Sequence, residues 1–159
     1  MEIVSEYQKT GERAMELISF TMKMDTIDLN NQKLLDKWYD QCGWPDELSE
    51  KAHSAVLMIV QHADINSINK YITDLKTKVD KELLAADDYA IMFDRKMMYE
   101  GKAQYYGTQI FQSPSNINLV WPVVQIDSLD IRRASVGLPN MQTYFKIASD
   151  IMDIVMQLD

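Results

Sequence analysis

The chain of 159 residues is 47% hydrophobic and 25% charged, as expected for a folded globular protein, and its length predicts one domain over residues 1–159. Its net charge of −8 argues against nucleic acids and anionic membranes as partners, because phosphate binding needs clustered Lys and Arg. The single Cys42 excludes an internal disulfide framework and a multi-cysteine zinc site.

The sequence shows no targeting signal and no membrane segment. The first twenty residues are charged throughout, without the basic and apolar regions of a secretory signal peptide. No run of 18 apolar residues occurs anywhere in the chain. We therefore expect a cytoplasmic protein, and we predict neither a cofactor nor a metal ion.

Two helices are predicted before the first proline. Residues 2–24 carry apolar side chains at helical spacing, and the sequence DTIDLNNQ that follows is expected to break this helix. A second helix is predicted from about Asn31 to Gln41, closed by Gly43 and Pro45. Its apolar side is expected to comprise Leu34, Leu35 and Trp38.

Three more helices are predicted up to residue 100. Ser49 can cap the first, whose middle part, residues 55–60, is apolar nearly all round and therefore predicts a buried central helix. The second carries a stripe made of Ile68, Ile72, Leu75 and Val79. The third covers the sequence AADDYAIMFDRKMMYE and ends at Gly101.

A small β element is predicted near residues 103–125. The ribbon GKAQYYGTQIF, residues 101–111, contains β-prone aromatic residues, and SPSN has the composition of a turn. The sequence INLVWPVVQI is β-branched and aromatic, and it can pair with the ribbon, with Pro122 limiting it to an edge or a bend.

The C-terminal part predicts two further helices. The first is short, capped by Asp127 or Ser128 and closed by Gly137. The second carries apolar residues at helical spacing through residues 141–158, and this stripe is wide enough for a homodimer, although core packing explains it equally well. The prediction is a mainly α domain of about six to seven helices with a small β-hairpin-like element.

His62 is the first candidate for chemistry, because it follows the most apolar helix of the chain. Burial there would lower its pKa, and Asp64 could orient it as a catalytic acid or base. A simpler alternative makes His62 a satisfied histidine near a helix end, with Asp64 in a turn or capping the next helix.

Two arginine positions are candidates for anion binding. Arg95 can lie beside the apolar face of its helix, where it would need a carboxylate or a bound anion. Arg132 begins the only adjacent arginine pair of the chain, and such forks bind carboxylate or phosphate groups. Alternatively, these arginines pair with nearby aspartates of the chain.

Five short motifs occur in a fixed order: GWP at 43–45, QHAD at 61–64, DR at 94–95, GKxQxYGTQ at 101–109 and RRxxVGLP at 132–139. Together they resemble an uncharacterised bacterial family, a domain of unknown function, over about residues 28–145. The resemblance implies no activity. It does indicate where to look, because the motifs are rich in polar residue types that a purely structural core does not require.

These motifs predict a polar pocket. If the ribbon is a strand, Gln104, Tyr106 and Thr108 share one face. With Gln61, Arg95, Gln109 and Arg132, they would hold a small anionic or amide-bearing molecule, and His62 with Asp64 would supply acid–base or hydrolytic chemistry.

The alternative is an acidic module that binds a basic protein, such as a toxin immunity protein or another inhibitor. The small size and the net charge of −8 fit this function. The aromatic residues expected to be exposed for it are Trp38, Tyr39, Trp44 and Trp121. A domain with no ligand site at all is a third hypothesis.

Overall fold

The computed structural model of the chain describes residues 14–113, 118–152 and 156–158. In chain order these form α1 (Ala14–Cys42), α2 (Glu50–Gln61), α3 (Ile65–Asp80), α4 (Ala86–Tyr99), β1 (Ile110–Gln112), β2 (Asn118–Val120), a 3-10 helix (Ile126–Ser128), α5 (Leu129–Ser135), α6 (Met141–Met152) and β3 (Met156–Leu158). The three strands form one sheet in the order β1-β2-β3. The prediction of a mainly helical fold with a hairpin near residues 103–125 is confirmed, since β1 and β2 are antiparallel.

α1 is one continuous helix of 29 residues, so the predicted break at DTIDLNNQ is wrong. The segment lacks Gly and Pro, and the helix propensities of Asp and Asn are lower than that of Ala by less than about 1 kcal/mol each. Tertiary contacts outweigh this cost, because Asp28 pairs with His62 and Gln32 bonds to Ser67. Residues 2–13 of the predicted first helix lie outside the described residues.

The main core lies between α1, α2, α3 and α4. Only part of the predicted apolar side of α1 faces it, since Leu35 is buried but Leu34 is 67% exposed. The all-round burial predicted for the middle of α2 is also wrong, because Met58 is 65% exposed. The core members of these helices are Leu35, Val56, Leu57, Val60, Ile68, Tyr71, Leu75 and Met92.

The turn after α1 is anchored by buried polar groups. The indole N–H of Trp44 donates to His53 Nδ1 at 2.9 Å. Because Nδ1 accepts this bond, the N–H of the His53 imidazole is at Nε2, which lies 3.4 Å from the Asp46 carbonyl oxygen. Lys78, also buried, donates to the Trp44 carbonyl and to the Asp46 carboxylate. Trp44 is therefore a core residue, and its predicted exposure is wrong.

The C-terminal part packs around a second, smaller core of Val120, Leu129 and Met141. The predicted last helix ends at Met152, and the residues from Met156 form a strand parallel to β2 instead, because β2 offers them backbone hydrogen bonds. Residues 153–155 are not among those described. The Ser128 side chain makes no capping hydrogen bond to α5, and its hydroxyl donates to the Gln125 carbonyl.

No helix in the described ranges is long and apolar enough to cross a membrane.

Candidate functional site

The ribbon is irregular over most of its length, and only its end, from Ile110, is a strand. The chain bends at residues 105–107, and we call this part of the ribbon the turn. The predicted common strand face of Gln104, Tyr106 and Thr108 is therefore wrong. In a strand, successive backbone N–H groups point to alternate sides, whereas in the ribbon they converge on one carboxylate. This convergence requires the positive φ of +67° at Gly107.

That carboxylate belongs to Asp94, which is fully buried on α4. Its Oδ1 accepts the N–H groups of Tyr105 and Tyr106 at 2.7 and 3.0 Å. Its Oδ2 accepts from the N–H of Tyr106 at 3.1 Å and from the N–H and hydroxyl of Thr108, both at 3.0 Å. Burial raises the pKa of Asp94, and these hydrogen bonds oppose the rise. One acidic side chain thus fixes the whole turn.

The two arginines of α5 hold the carbonyl side of the same turn. Arg132 donates to the Tyr105 carbonyl at 2.8 Å, and Arg133 donates to the carbonyls of Tyr106 and Gly107 at 2.7 and 3.2 Å. Further bonds from Arg132 reach the carbonyls of residues 124 and 125. Burial lowers the pKa of Arg133. The predicted ligand residue Arg132 is thus bonded to the chain itself.

Gln104 and Gln109 complete the turn from within. The Gln104 amide donates to the carbonyls of Gln109 and Trp121, and its oxygen accepts the Gln109 N–H at 2.8 Å. The Gln109 amide donates to the Ile91 carbonyl at 3.2 Å and to the Thr108 hydroxyl at 3.1 Å. Within the described residues no buried side-chain N or O atom lacks a hydrogen bond, so these buried groups have their partners without a ligand.

Arg95 brings three of the motifs together. Its guanidinium donates to the Gln61 carbonyl and, through Nε, to the Gln109 side-chain oxygen at 3.2 Å. The QHAD, DR and GKxQxYGTQ segments therefore meet in space, as the predicted site requires.

His62 and Asp64 have separate partners. His62 Nδ1 lies 3.0 Å from Asp28 Oδ2, and the His62 side chain is 46% exposed. Asp64 is the N-cap of α3, where its Oδ1 accepts the Ser67 N–H at 2.9 Å. The carboxylate that contacts His62 therefore belongs to Asp28, which the sequence analysis did not single out, and not to Asp64 as predicted. The catalytic roles of His62 and Asp64 stay predictions.

A second feature of the site is a cluster of four rings, which we call the aromatic face: Tyr89, Phe93, Tyr105 and Tyr106. Tyr89 stacks on Phe93 at 5.7 Å between ring centroids, and Phe93 meets both other rings edge to face at 6.5 Å. Tyr105 and Tyr106 contact each other at 5.0 Å, and the Arg132 guanidinium lies 4.5 Å from the Tyr105 ring. Sequence analysis missed this face, because no sequence pattern within a few residues indicates that α4 packs against the ribbon.

No metal centre is indicated in the part of the chain that the structure describes. There, no group of three or more His, Cys, Asp or Glu residues is placed to hold an ion.

Comparison with known proteins agrees with a family of unknown function. No curated protein and no solved structure is significantly similar to the chain. The model of the family of unknown function DUF6624 matches residues 10–157, nearly the whole sequence. The chain therefore belongs to the DUF6624 family.

Proposed function

We propose that the protein is a protein-binding module and that the aromatic face is its binding surface. The observation that carries this proposal is that the three tyrosines of the face have no hydrogen-bond partner for their hydroxyls among the described residues, while Tyr105 is 40% exposed. Tyrosines of this kind combine a large apolar ring with an available hydroxyl, and they are enriched at protein interfaces.

The rigidity of the turn supports the proposal. Asp94 fixes the N–H groups of Tyr105 and Tyr106, and Arg132 and Arg133 fix their carbonyls. A surface that is already ordered loses less conformational entropy on binding. In this proposal, the role of the buried Asp94, Arg132 and Arg133 is to hold the two tyrosines in place.

The charge of the chain favours a basic partner. The net charge is −8, and Asp87 and Asp88 directly precede Tyr89 without an ion-pair partner in the described ranges. Opposite charge steers association and selects against wrong partners. An inhibitor of a basic protein, such as a toxin immunity protein, is the kind of binding module that these features fit.

The test is affinity capture of a partner, followed by measurement of its dissociation constant. We expect Tyr105→Ala to weaken binding by roughly 30-fold, as loss of an interface hot spot does. Tyr99→Ala is the matched control, because Tyr99 is a tyrosine of α4 that is 49% exposed and lies outside the aromatic face. Unchanged affinity of Tyr105→Ala, or equal loss in both variants, would contradict the proposal.

A second function is favoured by the meeting of the motifs at Arg95. In this alternative, Gln61, His62 and Arg95 line a site for a small anionic or amide-bearing molecule, and His62, oriented by Asp28, acts as an acid or base. Thermal unfolding with a panel of phosphates, nucleotides and amino acids tests it. A ligand at 100 times its dissociation constant adds about 2.7 kcal/mol of stability, which His62→Ala should abolish. No shift with any compound would exclude these ligands.

A further inference from the structure

Residues 43–49 join α1 to α2, and we call them the α1–α2 connection. His53, near the start of α2, is 1% exposed and contacts this connection through both ring nitrogens. Its Nδ1 accepts the indole N–H of Trp44 at 2.9 Å, and its Nε2 lies 3.4 Å from the Asp46 carbonyl oxygen. The contact to Trp44 requires the neutral ring, because Nδ1 accepts a hydrogen bond only when it carries no proton.

A second proton on this ring would break its contact to Trp44. A protonated Nδ1 is a donor, and it would face the indole N–H, which is a donor as well. Trp44 is 6% exposed, so water does not replace the lost acceptor while the connection keeps its conformation. Buried donors without an acceptor are unfavourable, and the proton therefore favours a conformation in which Trp44 has moved away from the ring.

The charges closest to His53 oppose the proton as well. Lys78 is 4% exposed, and it donates to the Asp46 carboxylate. Lys81 donates to the other oxygen of the same carboxylate. Two ammonium groups thus share one carboxylate, and an imidazolium would add a third cation without adding an anion.

Within the described residues, the other groups around the connection provide no buried acid. Glu47 and Glu50, the acids nearest in the sequence, are both exposed. α1 and α4 contribute apolar side chains, among them Leu35 and Met92, to the core in which Trp44 lies. The start of α2 is the positive end of the helix dipole, which disfavours a cation on the ring.

We propose that the α1–α2 connection is a pH-dependent switch, closed while His53 is neutral and opened when its ring takes up a proton. The open form binds a proton that the closed form does not accommodate. The ratio of open to closed molecules should therefore rise by up to about tenfold for each pH unit below about pH 6.5, where histidine ordinarily titrates. Asp46 stays ionised in this range, because its hydrogen bonds to Lys78 and Lys81 lower its pKa to about 2.

Fluorine NMR of the full chain labelled with fluorotryptophan tests the proposal. The chain contains three tryptophans, and Trp44→Phe identifies the signal that reports on the connection. We expect the Trp44 signal to move along a one-proton titration curve between about pH 7.5 and pH 5. The signal of Trp121, which contacts Phe111 and the Lys102 carbonyl instead, should keep its position. An unchanged Trp44 signal, or a joint movement of both signals, would overturn the proposal.

His53→Asn should remove this titration. The asparagine oxygen occupies the position of Nδ1 and accepts the Trp44 indole N–H without binding a proton. His62→Asn is the matched control, because His62 is the other of the two histidines of the chain and its side chain is 46% exposed. A Trp44 signal that still titrates in His53→Asn, or that stops titrating in His62→Asn, would contradict the assignment to His53.

A measurement on the wild type does not depend on the folding of a variant. Nitrogen NMR of the labelled imidazole follows proton uptake by His53 directly. This uptake and the movement of the Trp44 fluorine signal should have the same midpoint, because the proton and the opening are one event in the proposal. Two separate midpoints, or a protonated His53 beside an unmoved Trp44, would overturn it.

Discussion

Asp94 and Arg133 hold the peptide groups of Tyr106 from opposite sides. The N–H of Tyr106 donates to both carboxylate oxygens of Asp94, at 3.0 and 3.1 Å, and its carbonyl accepts from Arg133 at 2.7 Å. Each side chain is at most 1% exposed, and neither forms an ion pair in the described residues. Two buried charges of opposite sign are thus compensated through the dipoles of one turn, and this arrangement fixes the aromatic face.

Replacing the Asp94 carboxylate by an amide should destabilise the fold. In Asp94→Asn, an NH₂ group faces backbone N–H donors and leaves at least one of them unpaired. Hydrogen bonds to buried charged groups contribute about 1.5 to 3 kcal/mol each, so we expect a loss of about 3 kcal/mol in the free energy of unfolding. Urea denaturation measures it.

Asp150→Asn is the matched control, because Asp150 is an exposed aspartate of α6. It should change the free energy of unfolding by less than about 0.5 kcal/mol. If Asp94→Asn were as stable as Asp150→Asn, the turn would not depend on the carboxylate.

Gly107→Ala should cost more than Gly101→Ala. Both glycines have a positive φ, +67° and +68°, so each substitution costs about 1 kcal/mol in the backbone. Only at Gly107 would the new methyl group meet packed side chains, with Met141 Sδ at 3.3 Å and Leu129 Cδ2 at 3.4 Å. We expect an additional loss of about 1 kcal/mol there from overpacking. Equal thermal midpoints for the two variants would contradict this packing.

Asp46 should contribute to the acid sensitivity of the fold. The hydrogen bonds from Lys78 and Lys81 lower the pKa of Asp46 from 3.8 to about 2. A lowered pKa stabilises the folded state above the unfolded pKa, and this stabilisation is lost as the pH falls through about 2. We therefore expect the free energy of unfolding, obtained from unfolding curves, to fall less in Asp46→Asn than in wild type between about pH 4 and pH 2. Parallel loss of stability in the two proteins would show that Asp46 does not titrate in this way.

Tyr39 should titrate far above an ordinary tyrosine. Its hydroxyl donates to Asp74 at 2.7 Å, and this hydrogen bond, with burial, raises the pKa of Tyr39 from 10.0 to about 12. In Asp74→Asn the pKa should move back toward 10, because the phenolate no longer faces a carboxylate. Carbon-13 NMR of labelled tyrosine rings measures this. Tyr71 is the internal control, since its raised pKa depends on burial and on Asp36; movement of both tyrosines would point to a general structural change.

Much of the helical framework could be predicted from the sequence, because its signals are local. Ser49 caps α2 and Asp64 caps α3, each by accepting a backbone N–H three residues on. Ile68 and Leu75 of the predicted stripe are fully buried. The hairpin was predictable too, since segments with β-branched and aromatic residues flank a turn sequence. These features depend on hydrogen bonds and spacing within a few residues.

The candidate site depends on contacts that span much longer distances along the chain. Asp94 lies 11 to 14 residues from the N–H groups that it accepts, Arg133 lies 27 residues from Tyr106, and His62 lies 34 residues from Asp28. No helical or strand period relates such positions, so their partners could not be read from the order of the residues. The sequence by itself determined the helices α2, α3 and α4 and which residues of the motifs are polar. Only the tertiary structure decided that most of those polar side chains bond to backbone groups of the turn and so hold the aromatic face. A buried charge or amide must form hydrogen bonds, and its partners are the backbone groups that the packed helices bring within reach.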